Sequence, residues 1–126
     1  MGLDNGIVLK TTKTPSFANL CSQYKEGEYE VCYWRKCWGL RNCILLLFDN
    51  VQDNDGIYNI SVEQIDDIIN IINYFNNKEV WDEEGLSIWT HEEYKDKLIS
   101  DVKMLECVKD FMLNNPDAIV YFYDSY

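Results

Sequence analysis

Tyr33-Trp34-Arg35-Lys36, followed by Trp38 and Arg41, is the densest mixture of aromatic and basic side chains in the chain, and it holds both of its arginines. A guanidinium can fork onto a phosphate through two parallel hydrogen bonds, and an indole face can stack a base. If this segment is helical, Trp34 and Trp38 share a face and Arg41 follows one turn later. The set Tyr33, Trp34, Arg35, Trp38 and Arg41 then reads as a nucleotide or small-anion pocket. The competing reading makes the tryptophans core or rim packing and pairs the arginines with nearby carboxylates.

The opposite charge collects further along. The first 47 residues carry six basic and four acidic side chains, whereas the other 79 carry 18 acids and five lysines. Glu79, Asp82, Glu83, Glu84, Glu92, Glu93 and Asp96 lie close together in sequence and could form one anionic face. Such a face can imitate the regular charge of a nucleic-acid backbone, about one charge per 1.7 Å of duplex axis, and occupy a basic groove on a partner protein. It can equally be a solvated face that keeps a small protein dispersed.

Other chemistry finds little support. The five cysteines, Cys21, Cys32, Cys37, Cys43 and Cys107, are odd in number and include no C-x-x-C pair. That pattern favours free thiols in a reducing compartment. Cys32, Cys37 and Cys43 are too widely spaced for a usual zinc site, and the one histidine, His91, is remote and flanked by Glu92 and Glu93. Asp49 to Gly56 superficially resembles a calcium loop, but Val51 and Val62 fall where ligands are needed. There is no glycine-rich phosphate loop, no Ser-His-Asp set and no H-E-x-x-H motif. The expectation is a non-enzymatic protein with no metal and no cofactor.

Composition sets the wider limits. A net charge of −11 disfavours direct binding to nucleic acid or to anionic lipid. The longest apolar run, Cys43 to Phe48, is six residues, against roughly 20 for a membrane span. Met1 to Gly6 lacks the basic and apolar regions of a signal peptide, and position 6 lacks the Ser or Thr of a myristoylation site. A cytoplasmic domain comprising residues 1–126 is expected.

The elements that would position these residues can be read from periodicity. Ile7 to Thr12 is rich in β-branched residues and predicts a strand, with a loop from Pro15 to Gln23. Tyr33, Cys37, Leu40, Ile44 and Leu47 recur at helical steps, which predicts a helix from about Glu28 to Phe48. Its apolar end makes it the expected central helix, and Gly39 within it suggests a close neighbour. Ile57 to Ile60 predicts a short strand. Ser61-Val62-Glu63-Gln64 and Thr90-His91-Glu92-Glu93 are capping boxes. The first opens an amphipathic helix that buries Ile65, Ile68, Ile69, Ile72 and Phe75. The second opens a long helix with an apolar stripe of Tyr94, Leu98, Val102, Leu105, Val108 and Met112, stopped by Asn114-Asn115-Pro116. Asn76 to Trp89 is read as a connection, and Ile119 to Tyr123 as a closing strand. The expected fold is α+β, with the terminal strands and a short middle strand in a small sheet packed by three helices.

Several of these residues also resemble a known family. The opening M-G-L-D, the segment Glu30-Val31-Cys32-Tyr33-Trp34-Arg35-Lys36, the stretch Ser61 to Ile65, Glu93-Tyr94 leading a long helix, and the ending Tyr121 to Tyr126 are similar to a family of small phage and prophage proteins. Their order and spacing correspond over nearly the whole chain, and Y-W-R-K is the most specific of them. Cys37-Trp38-Gly39 departs from the family's small, polar residues. The resemblance implies a viral origin and supplies no catalytic residues. Because small acidic phage proteins are often inhibitors, the expected partner is a host protein with a basic surface, bound through the acidic helical face.

Overall fold

The computed structural model describes residues 3–51, 56–84 and 89–125, without the side chains of residues 23, 24, 83 and 84. Its strands are β1 (Asp4–Lys10), β2 (Ser22–Lys25), β3 (Glu28–Arg35), β4 (Gly56–Asn59) and β5 (Ile119–Ser125). The helices are α1 (Trp38–Leu45), α2 (Val62–Phe75), α3 (Lys78–Glu84) and α4 (His91–Asn114), and a single 3-10 turn spans Ala18–Leu20. The strands form one antiparallel sheet in the order β2-β3-β1-β5-β4. The α+β class and one sheet holding both terminal strands are as expected, and β1 and β5 are direct partners in it. Residues 52–55 of the polar turn lie outside the described residues.

The main correction concerns Glu28 to Phe48. This segment is not one helix: its first eight residues form β3, and α1 is only eight residues long. Aromatic and β-branched residues favour an extended chain, and Cys32 and Trp34 point inward while Tyr33 and Arg35 point outward. Lys36 then takes a left-handed backbone (φ 55°), ending the strand, and its amide donates to the Leu3 carbonyl at 2.8 Å. The apolar run that follows is not covered on all sides, because Leu46 is 84% exposed. The central helical packing belongs instead to α2 against α4. The segment read as a connection contains α3, and β2 was not expected at all.

Local signals elsewhere hold. Ser61 Oγ accepts from the Gln64 amide at 3.2 Å while Gln64 Oε1 accepts from the Ser61 amide at 2.9 Å. Thr90 and Glu93 make the same reciprocal pair at 3.2 and 2.8 Å. Each box satisfies amide donors that a helix start leaves open. Behind them, Ile65, Ile68, Ile72 and Phe75 of α2 and Leu98, Leu105 and Val108 of α4 are buried, with Ile69 half-buried. They meet Ile7, Leu9, Cys32, Trp34, Val120 and Phe122 from the inner sheet face.

The outer sheet face is covered by its own side chains. Tyr123 on β5 pairs with Gly6 on β1 and reaches across it, donating its hydroxyl to Glu30 on β3 at 2.5 Å. Tyr121 reaches Glu28 in the same way at 3.4 Å. A Cβ on Gly6 would lie 2.6 Å from the Tyr123 ring and 2.7 Å from the Cys32 carbonyl oxygen. The ring can swing aside; the backbone oxygen of a paired strand cannot. Gly6→Ala is therefore expected to destabilise the protein by about 1–3 kcal/mol, the usual cost of overpacking, as read by urea denaturation. An unchanged midpoint would show that the Cys32 carbonyl does not approach Gly6 this closely.

Candidate functional site

The structure separates the aromatic-basic set. Tyr33 and Arg35 lie on the outer sheet face, where the Tyr33 hydroxyl donates to Asp4 at 2.6 Å. That hydrogen bond, with partial burial and the Asp4 charge, pushes the Tyr33 phenol up to about 12. Trp34 points the other way into the core, 1% exposed, and its indole donates to Asp101 on α4 at 2.9 Å. Trp38, 38% exposed, opens α1. Arg41 folds inward onto Asp124 of β5, donating from Nε at 2.9 Å and Nη2 at 2.8 Å. Trp34 and Trp38 therefore share no helix face. Trp34 and Arg41 are both engaged inside the fold, so these five residues do not converge into a pocket.

Two polar networks result, and each joins the sheet to a helix. In the first, Asp124 is buried and accepts from Arg41 and from the Asn5 amide at 2.6 Å. In the second, Asp101 accepts from the Trp34 indole and from Lys97, whose Nζ lies 2.9 and 3.1 Å from its two oxygens. Burial pushes the Asp101 carboxyl above its ordinary range, while Lys97 and the indole pull it back. The Lys97 ammonium also lies 5.6 Å from the Trp34 ring centroid and 5.8 Å from that of Tyr94, within cation–π reach. Cys32, beside Asp101, has its thiol pushed well up by burial and by the carboxylate charge. That is the environment of an inert thiol rather than a nucleophile.

An aromatic cluster that the sequence reading passed over supports the α3–α4 corner. Trp89 and Tyr94 stack at 6.3 Å, Tyr94 lies 5.6 Å from Trp81, and the Trp81 indole donates to the Trp89 carbonyl at 2.8 Å. The Trp89 indole in turn donates to the Arg35 carbonyl at 2.9 Å, tying this corner to the end of β3. His91 meets Asn76 at 3.0 Å and closes the link to α2.

Those contacts determine where the acidic residues stand. Glu79 and Asp82 are exposed on α3, and Glu92, Glu93 and Asp96 are exposed on the first turns of α4. Asp82 is paired with Lys78 at 2.7 Å and Glu92 with Lys95 at 3.1 Å, while Glu93 serves the capping box. The side chains of Glu83 and Glu84 lie outside the described residues. Further exposed carboxylates stand on α2, at Glu63, Asp66 and Asp67, and on α4, at Glu106 and Asp110. The amphipathic pattern of α2 carried that signal. Among the described residues, no group of three or more His, Cys, Asp or Glu side chains is placed to hold a metal ion, and no helix is long and apolar enough to cross a membrane. Compared with protein-family models, curated proteins and solved structures, the chain matches none of them.

Proposed function

We propose that this chain is a non-catalytic binding protein whose acidic helical layer docks on a basic surface of a host protein. One observation carries the reading. Residues 62–114, which form α2, α3, α4 and their connections, contain 13 acidic residues against five lysines. Four of those lysines each meet a carboxylate of the same layer: Lys78 with Asp82, Lys95 with Glu92, Lys97 with Asp101 and Lys109 with Asp66. Among the described residues, exposed Asp67, Glu79, Asp96 and Glu106 are in no ion pair, so the layer presents net negative charge on packed helices. Charge held on a rigid scaffold speeds encounter with an oppositely charged surface and selects against like-charged ones. The resemblance of the M-G-L-D opening and the Y-W-R-K segment to small phage and prophage proteins supports a viral origin and action in the host cytoplasm.

The test is capture of partners from host lysate by the full chain and by a variant carrying Asp67→Lys, Glu79→Lys, Asp96→Lys and Glu106→Lys. The Debye length shrinks from about 10 Å at 0.1 M salt to about 3 Å at 1 M. Capture by the native chain is expected to fall at least about tenfold over that range, and the variant is expected to lose the same partner at low salt. Capture indifferent to both salt and charge reversal would overturn the proposal.

A further inference from the structure

Three loops meet where β1 ends and β5 begins: the segment after Lys10, the β2–β3 turn at Glu26-Gly27, and the α4–β5 connection. They frame a cleft of about 780 Å³, within the ~300–1,000 Å³ range of small-molecule sites. Its walls are tied together before any ligand arrives. The Thr11 amide donates to the Gly27 carbonyl at 2.9 Å, and the Lys13 amide to Thr11 Oγ1 at 3.2 Å. Gly27 is in the left-handed region (φ 81°), and a Cβ there would lie 3.0 Å from the Thr11 carbonyl oxygen. At the α4 end, Asn114 and Asn115 side-chain amides donate to the Asp110 and Phe111 carbonyls, each at 2.9 Å. Those bonds blunt the negative end of the helix, which would otherwise repel an anion.

The cations at this cleft differ from most others in the molecule. Lys25, Lys78, Lys95, Lys97 and Lys109 are each within 3.2 Å of a carboxylate. Lys10 and Lys13 both line the cleft, are exposed, and form no ion pair among the described residues. Thr12 and Thr14 line the cleft with them, as do the acidic residues Glu26 and Asp117. Ammonium groups with hydroxyl donors suit a phosphate, and carboxylates suit sugar hydroxyls. We propose that this cleft binds a small sugar phosphate, with Lys10 and Lys13 on the phosphate and Glu26 and Asp117 accepting from the sugar hydroxyls. The site is independent of the acidic helical layer and stands or falls without it.

Calorimetric titration of the full chain with ribose 5-phosphate, ribose and inorganic phosphate tests this. The sugar phosphate is expected to bind with a Kd of about 1 mM or tighter, and at least about tenfold more tightly than either fragment. Lys10→Gln with Lys13→Gln is expected to weaken it at least about tenfold, whereas Lys103→Gln, an exposed lysine on α4, leaves it unchanged. Both cleft lysines are exposed, so a thermal melt of the double variant should match the native chain. No binding of the sugar phosphate at about 10 mM, equal binding by the double variant, or phosphate binding as tightly as the sugar phosphate would each overturn the proposal.

Discussion

Arg41→Met is expected to destabilise the protein by about 3–5 kcal/mol, the cost of stranding a buried charge. Asp124 has a fully buried side chain, and Arg41, itself 11% exposed, supplies two of its hydrogen bonds. Removing the guanidinium leaves the carboxylate with the Asn5 amide and, among the described residues, no cation in contact. The pair also joins α1 to the last strand, so its loss releases the end of β5 as well as a charge. At this chain length the melting temperature should fall by roughly 10–20 °C. Adding Asp124→Leu to the same chain should restore much of the loss, because a buried pair replaced by apolar groups is often neutral. A melt of Arg41→Met within about 2 °C of the native chain would show that the pair does not carry this role. That outcome would return Arg41 to the surface as a candidate ligand residue.

Trp34→Ala is expected to cost a similar amount, about 3–5 kcal/mol, through the cavity left by a large core side chain. The indole is one of the largest fully buried groups in the fold, and its N–H is the link between β3 and Asp101. Trp34→Phe separates the two contributions. It keeps an aromatic ring but removes the donor, and is expected to cost about 1–3 kcal/mol. Urea denaturation followed by far-UV circular dichroism reads both, since the signal does not depend on the tryptophan removed. If Trp34→Ala were as stable as the native chain, the residue would be a surface aromatic and the pocket reading would reopen.

These two residues show how far the sequence could be read. Residues 33–41 contain the right chemistry for an anion pocket, and counting apolar positions at three- and four-residue steps gave them a helix. The count ran across Lys36, where a left-handed backbone separates strand from helix. Within β3 the alternation of Cys32 and Trp34 with Tyr33 and Arg35 was present, but the Val31 bulge and the helical residues after it obscured a period of two. Arg41 and Asp124 are 83 positions apart, and Trp34 and Asp101 are 67 apart. No local pattern marks either pair. The cleft was hidden for the same reason, because its lining comes from three separate loops.

The anionic surface was partly legible. The excess of acids in the helical half follows from 18 of them in the last 79 residues. Which of them stay unpaired does not, because Lys109 neutralises Asp66 across the α2–α4 contact, 43 residues away. Glu93 was read both as part of a capping box and as part of a binding face; the structure shows it in the first role.

The chain by itself determined what depends on neighbours within one or two turns: both capping boxes, the buried stripes of α2 and α4, the terminal strands and the α+β class. The caps and helical stripes are satisfied by residues three or four apart, and runs of β-branched and aromatic residues mark the strands whatever they pair with. Only the tertiary structure decided which polar side chains lie inside, which tyrosines cover the sheet and which lysines remain unpaired. Burial depends on what distant segments bring to the same place. Desolvation then fixes the pairing, because a charge removed from water must find an opposite partner wherever the fold supplies one.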